Sequence, residues 1–293
     1  MKLYAHAKIN LYLDVLGRLP DGFHLVRSVV QSISLSDAVA IYPAERTEVI
    51  CLERPDICGA ANLAYKAAEI FKSRVLEARK LEVVIEISKR IPIAAGLAGG
   101  SADAAATLVG LNELSGAGLS SEELAEIGKF VGMDVPFCVR GGTMLAEDKG
   151  ERLSRLRPMP NAEIVLVTPP VPLSTARVYS LLDELDVDPL NEIEGVLAAL
   201  ENGCVEDLAR AIDNRLAIAA VNLVPEIEAA LSALRSVGAL GATMSGSGPM
   251  AFGIFRPGQG EPAAEKLRAA FPDSFVAFAV PSSQGVEIAD RTS

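Results

Sequence analysis

A chain of 293 residues, half of them hydrophobic, is long for one core and comfortable for two, so a packed globular protein is expected. Its formal net charge of −11 opposes binding along a phosphate backbone, which sets nucleic acid aside as a partner and leaves a small anionic ligand in need of a local positive pocket. No apolar run is long enough to span a bilayer, and residues 1–8 lack the apolar core of a signal peptide, so no membrane partner and a cytoplasmic location are expected.

Residues 3–15 alternate. Leu3, Ala5, Ala7, Ile9, Leu11, Leu13 and Val15 share one face; Tyr4, His6, Lys8, Asn10, Tyr12 and Asp14 share the other. The pattern predicts a strand with one buried face. Pro20-Asp21-Gly22 predicts a turn, and residues 28–41 further strand. Residues 60–78 have helical periodicity, with Leu63, Ala67, Ile70 and Phe71 on one side, and residues 81–87 alternate as a strand. A Gly-rich stretch, residues 94–103, then opens a helix bearing Ala104, Leu108 and Leu111. A second helix is expected over 120–131, capped by Ser120 with Glu123 three residues on. Asp134-Val135-Pro136-Phe137 reads as a proline-fixed extended stretch. Residues 155–161, rich in Pro and Arg, are the best linker candidate. Beyond them lie a short buried strand at 164–168, helices at 174–185, 192–201, 205–211 and 226–236, and strands at 239–244 and 250–255 around Ser245-Gly246-Ser247-Gly248-Pro249. A helix at 263–270 and a strand at 275–280 follow, and the last few residues read as disordered. Strands that alternate rather than run uniformly apolar favour an α+β fold with one-sided sheets over a doubly wound parallel sheet.

Four cysteines, Cys51, Cys58, Cys138 and Cys204, form no C-x-x-C pair and lie far from the two histidines. Free, mostly buried thiols are expected rather than zinc. A Ser-His-Asp hydrolase would have to use His6 or His24, and no G-x-S-x-G elbow precedes a helix. The strongest constellation is the strand, Gly-rich loop and helix over 81–114. A helix N-terminus carries unpaired amides and partial positive charge, and glycines let backbone approach a phosphate closely. Ser101 adds a hydroxyl for phosphate or Mg²⁺. The segment is neither a Walker A loop nor G-x-G-x-x-G, and a Gly-rich turn for close helix–strand packing would explain it too. Lys8 is either a solvated strand lysine or a charge aimed at a reacting oxygen. Asp134 is either a turn or cap residue or a rigidly held general base. Phe23-His24 is either a packed turn or a pair that stacks on and hydrogen-bonds a nucleobase, and 245–249 either a hairpin turn or a second anion nest.

Taken together, these pieces resemble a known family. Ala7-Lys8-Ile9-Asn10-Leu11 followed by Gly17-Arg18-Leu19-Pro20-Asp21-Gly22-Phe23-His24 is similar to the N-terminal motif of the 4-diphosphocytidyl-2-C-methyl-D-erythritol kinases. That family lies within the superfamily of galactokinase, homoserine kinase, mevalonate kinase and phosphomevalonate kinase. Residues 92–105 resemble the superfamily's Pro-x-x-x-Gly-Leu-Gly-Gly-Gly-Ser-Ser-Asp-Ala-Ala, residues 134–137 its Asp-Val-Pro-Phe, and residues 246–249 its Gly-Ser-Gly-Pro. Ala98 and Ala102 stand where glycine and serine are usual, and Phe23 where tyrosine is. Leu25-Val26 follows His24 where an acidic residue is commoner.

The resemblance implies a two-domain small-molecule kinase fold. Residues 1–155 would form an N-terminal α+β domain with a one-sided mixed sheet, holding the ATP loop and catalytic pair. Residues 156–293 would form a ferredoxin-like C-terminal domain. It implies Lys8 and Asp134 as catalytic residues, with Asp134 the base toward the C2 hydroxyl of a methylerythritol moiety. Asn62, Lys89, Pro92, Ile93, Ala94, Ala95, Gly96, Leu97, Ala98, Gly99, Gly100, Ser101 and Ala102 would bind ATP, with Mg²⁺ on unassigned ligands. Asn10, Phe23, His24, Thr175, Tyr179 and Gly246 would hold a cytidine diphosphate-linked substrate. A monomer or weak homodimer is expected. The rivals are another kinase of the superfamily, which would lack cytidine-binding aromatics, and a non-catalytic nucleotide-binding relative, which would lack Lys8 or Asp134.

Overall fold

The computed structural model describes residues 1–185, 190 and 192–290. Two long strands, β1 (Lys2–Arg18) and β2 (His24–Pro43), form an antiparallel hairpin, and Gly22 N donates to Leu19 O (3.0 Å) to close its turn. β3 (Glu48–Ile50) leads to α1 (Leu63–Arg74), whose first turn is capped by Asn62, and then to β4 (Val83–Ser88). The Gly-rich loop enters α2 (Gly99–Ser115), followed by α3 (Ser121–Gly128), which carries the expected capping box of Ser120 and Glu123. Next come α4 (Val135–Arg140), β5 (Thr143–Asp148) and β6 (Arg152–Arg155). The remaining chain forms β7 (Glu163–Thr168), α5 (Thr175–Glu184), α6 (Ile193–Asn202), α7 (Val205–Ala211), β8 (Asp213–Asn214) and α8 (Leu216–Leu223). It ends with α9 (Glu226–Ser236), β9 (Gly241–Met244), β10 (Ala251–Phe255), α10 (Gly260–Ala270), β11 (Phe275–Ala279) and β12 (Val286–Asp290). The disorder expected of the last few residues falls at 291–293, outside the described residues.

One sheet is eight-stranded with the central order β12-β1-β2-β4-β3. β2 takes β4 along residues 38–43 and β5 along residues 26–31, so the long hairpin serves two sub-sheets and curls. The pairs are antiparallel except β3 with β4 and β8 with β1. The second sheet is four-stranded and antiparallel, in the order β11-β7-β10-β9. With α5 between β7 and β9 and α10 between β10 and β11, this is the β-α-β-β-α-β pattern of a ferredoxin-like unit, carrying additional helices. The division expected at 155–156 falls between the two sheets, although β8 and β12 return to pair with β1.

The apolar face of β1, with Leu3, Ala5, Ala7, Ile9 and Leu11 all fully buried, packs against α2. α2 is apolar nearly all round, and its Ala102, Ala104, Ala105 and Ala106 let it sit close against the sheet. Each fully buried Leu or Ile here contributes roughly 2 kcal/mol relative to exposure. A second core joins Val165 and Val167 of β7 to Val178, Ile227 and Leu267 from α5, α9 and α10. No single helix among the described residues is long and apolar enough to cross a membrane.

Three expectations are corrected. The polar face of β1 is not solvated: His6, Lys8, Asn10 and Tyr12 are all buried. Returning chain covers it, with His6 N donating to Gly285 O (2.9 Å) and Lys8 N to Leu97 O (3.1 Å). Asp134 does not enter an extended stretch. It sits at φ −84°, ψ −13° as the N-cap of α4, and Pro136 fits that helix's first turn because amides there have no intrahelical acceptor to lose. Residues 155–161 are tethered rather than free, since Arg155 ends β6, Leu156 N donates to Thr143 O (3.0 Å) and Met159 is buried.

Candidate active site

Register shifts between His6 and Lys8 and between Asn10 and Tyr12 interrupt the β1–β2 ladder on either side of the Lys8–Asn10 segment. Such irregularities re-aim side chains. Lys8 is 5% exposed, and its ammonium donates to Asn10 Oδ1 (2.7 Å) and Gly96 O (3.0 Å). Two of its three N–H bonds are thereby used, and it has no carboxylate partner among the described residues. Asn10 is a hub: Oδ1 also accepts Gly246 N (2.9 Å), and Nδ2 donates to Ser28 Oγ (2.8 Å).

Gly96 and Gly246 bring the two Gly-rich loops into contact. A Cβ on Gly96 would lie 2.2 Å from the Ser245 carbonyl oxygen, and Gly246 holds φ +55° with Gly96 O 3.1 Å from where its Cβ would be. Asn214 fixes the second loop by donating to Met244 O (2.6 Å) and Gly246 O (2.8 Å). Both loops are therefore set by backbone approach that a side chain would obstruct.

A cavity of about 620 Å³ lies on one side of this contact. Among its lining residues are Lys8, Asn10, Phe23, His24, Asp134, Thr175, Tyr179 and Gly246. The expected catalytic pair and the expected substrate residues thus meet in one space. The Asp134 carbonyl oxygen accepts Cys138 N (3.0 Å), while its carboxylate caps no amide of α4 and stands exposed at the helix's N-cap. The buried Cys138 thiol on α4 is pushed far up, first by burial and then by the negative charge of Asp134, while the Lys8 charge opposes the shift. The Tyr179 phenol is pushed up to about 12, first by burial and then by Asp134. Tyr179 stacks on His24 with centroids 4.6 Å apart, and Thr175 Oγ1 and Ser247 Oγ share a hydrogen bond (2.7 Å). Phe23 is half-exposed at the rim, with the Lys149 ammonium 4.8 Å from its ring centroid.

A second cavity, of about 420 Å³, shares Ala94, Gly96 and Ala98 with the first. It is lined by Asn62, Lys89, Pro92, Ile93, Ala95, Gly99, Gly100 and Ser101 as well. Ala98 is the N-cap of α2 and accepts Ala102 N (2.9 Å), so the amides of Gly99, Gly100 and Ser101 have no intrahelical acceptor. They form an electropositive rim suited to phosphate. Leu97 and Ala102 do not line this space: both are buried in the core, because the loop turns their side chains inward. Asn62 spends its amide on capping α1 and on Ile57 O. Lys89 lines the cavity but is paired with Asp37 and with Asp103 (2.8 Å), so its charge is already compensated.

Sequence reasoning missed Asp37 and Asn214, whose partners lie far along the chain. It also missed Asp183, although its place four residues after Tyr179 on a helix was a usable signal. Asp103 lay inside the quoted motif without a role.

Residues 62–142 match the GHMP kinase N-terminal domain model, and residues 196–273 the GHMP kinase C-terminal model. The 4-diphosphocytidyl-2-C-methyl-D-erythritol kinase of Thermoanaerobacter pseudethanolicus is 39% identical, over 98% of both chains. That of Acetivibrio thermocellus is 45% identical, over 87% of this chain and 90% of its own. A crystal structure of 4-(cytidine 5'-diphospho)-2C-methyl-D-erythritol kinase superposes with a TM-score of 0.79 at 32% identity, covering 96% of this chain and 100% of that one. Homoserine kinase from Cytophaga hutchinsonii reaches 0.76 at 20% identity over 98% and 96% of the two chains, a likeness of fold alone. The expected two-domain kinase fold is borne out, and the chain belongs to the 4-diphosphocytidyl-2-C-methyl-D-erythritol kinase family of the GHMP kinases.

Proposed function

We propose that the chain transfers the γ-phosphoryl group of ATP to the 2-hydroxyl of 4-diphosphocytidyl-2-C-methyl-D-erythritol, a step of isoprenoid precursor synthesis by the non-mevalonate route. The observation that carries this reading is the seam between the two cavities. Lys8 and Asp134 line one side, the α2 amides line the other, and Ala94, Gly96 and Ala98 belong to both.

Phosphoryl transfer asks the protein mainly for positioning and charge stabilisation. The exposed Asp134 carboxylate, which caps no amide of α4, accepts the proton of the acceptor hydroxyl as the hydroxyl oxygen bonds to phosphorus and the bond to the ADP oxygen breaks. The third N–H of Lys8 meets the attacking oxygen and offsets charge on the transferring group. The amides of Gly99, Gly100 and Ser101 hold the donor phosphates. No cluster of three acidic, His or Cys side chains that could hold a metal exists among the described residues. Mg²⁺ would be held by the nucleotide phosphates, with the Ser101 hydroxyl as the loop's own oxygen, and would supply charge neutralisation there. Phe23, His24 and Tyr179 provide the aromatic wall for the cytosine, and Thr175 and Gly246 close the cavity beside it.

Purified chain with ATP, Mg²⁺ and this acceptor is expected to release one ADP per acceptor phosphorylated. Turnover of homoserine or mevalonate instead would overturn the assignment. Asp134→Asn is expected to lower kcat by about a thousandfold with nucleotide affinity within about twofold of the native chain. Retained turnover would show that Asp134 is not the base.

A further inference from the structure

We propose that Asp183 is a positioning residue for the nucleobase half of the acceptor, a latch from α5 that holds the tip of the β1–β2 hairpin in place. The inference rests on the acceptor reading above. Asp183 lies in the last turn of α5, where the helix dipole mildly disfavours a carboxylate, and its partners come from outside the helix. Both partners come from the hairpin: His24 Nε2 donates to Oδ1 at 2.8 Å, and Arg18 Nη1 lies 3.5 Å from Oδ2. Arg18 and His24 face one another across the β1–β2 ladder, so one carboxylate grips both strands at the point where the hairpin ends.

The same helix face carries Tyr179 one turn earlier, stacked on the imidazole that Asp183 holds. A carboxylate only accepts, so Nε2 of His24 carries a proton and the ring cannot flip without losing the bond. Stack and hydrogen bond together fix the imidazole in plane and rotation. The next residue toward the tip is Phe23, and the tip's other tie is Lys149, which donates to Asp21 Oδ2 (2.6 Å) and lies over the Phe23 ring. All of these aromatics line the acceptor cavity, as does Asp183, and none lines the donor cavity. Losing the latch therefore frees the nucleobase wall and leaves the phosphate cradle as it was.

Steady-state kinetics with each substrate varied, together with calorimetric titration of CDP, tests this on the full chain. Asp183→Ala is expected to raise the acceptor KM and the CDP Kd about tenfold, with kcat and the ATP KM within about twofold. Asp183→Asn should recover to within about threefold of native, because its amide oxygen still accepts Nε2–H. In a His24→Phe background, Asp183→Ala should add less than about a twofold effect. Unchanged CDP affinity in Asp183→Ala, a parallel rise in the ATP KM, or additivity with His24→Phe would overturn the latch. Failure of the native chain to bind CDP would overturn the acceptor reading, and the latch with it.

Discussion

Ala98 holds φ +56° and ψ 32° at the point where the two cavities meet. A Cβ in that left-handed region costs roughly 1–2 kcal/mol relative to glycine, while glycine loses up to about 1 kcal/mol more backbone entropy on folding. Relief exceeds the entropic loss, so Ala98→Gly is expected to raise Tm by roughly 2 °C in calorimetry. A fall would show that the loop holds Ala98 without strain. This position was legible in the sequence, since alanine stands there where the motif has glycine. The neighbouring departure at Ala102 reads differently once its burial is known: the side chain faces the core, so a hydroxyl there would not line the donor cavity. Lys8 and Asp134 were legible as motif residues. The surroundings that bear on their chemistry were not, because the Gly96 carbonyl and the Gly246 amide are distant in sequence and only the fold brings them to Lys8 and Asn10.

At the scale of elements, the donor loop is fixed where β2, β4 and α2 converge. Asp37 in β2 accepts Arg90 N (2.6 Å) and Ile91 N (2.8 Å) on one oxygen, and Lys89 bridges it to Asp103 in the second turn of α2. All three side chains are nearly inaccessible to water. Burial pushes the Asp103 carboxyl up to about 7, against the pull of Lys89 and with added repulsion from Asp37. Burial opposes the charge on Lys89 too, but the two carboxylates outweigh it and its pKa rises. The folded pKa of Asp103 lies above its unfolded value, so the native state binds the extra proton and stability from this group falls as pH rises from about 4 to about 7. The Lys89 contribution is present throughout that window and is lost only above its raised pKa. Lys89→Met would leave two carboxylates buried without a cation, at a cost of about 3–5 kcal/mol. The loss measured by urea unfolding should be larger at pH 8 than at pH 5, where Asp103 takes up a proton. Equal losses at both would mean that the stranded carboxylates are not its source. Periodicity located α2 and both strands. It gave α4 the wrong form because a proline read as extended chain is equally at home in a helix's first turn.

Across the whole molecule, the order of motifs along the chain pointed to a Gly-rich loop opening a helix, an aspartate before Val-Pro-Phe and a second Gly-rich loop. It did not disclose how the chain's far end supports them. β12 pairs with β1, yet its five residues carry too short an alternation to be recognised locally. Just before it, Gly285 lies directly beneath α4. A Cβ there would be 1.8 Å from the Cys138 carbonyl oxygen, and one on Gly141 would be 1.9 Å from Gly285 N. Backbone therefore crosses backbone under a six-residue helix whose N-cap is Asp134. Gly285→Ala must displace either α4 or the returning strand, at about 1–3 kcal/mol for overpacking. A displacement of about 1 Å at a catalytic group can cost up to roughly a hundredfold in rate. The expected outcome is a kcat lowered at least about tenfold and a lower Tm, with the ATP KM little changed because the donor cavity is built on α2 and its loop. A native kcat in Gly285→Ala, measured with both substrates saturating, would show that α4 tolerates the shift and that the C-terminal return does not set the position of Asp134.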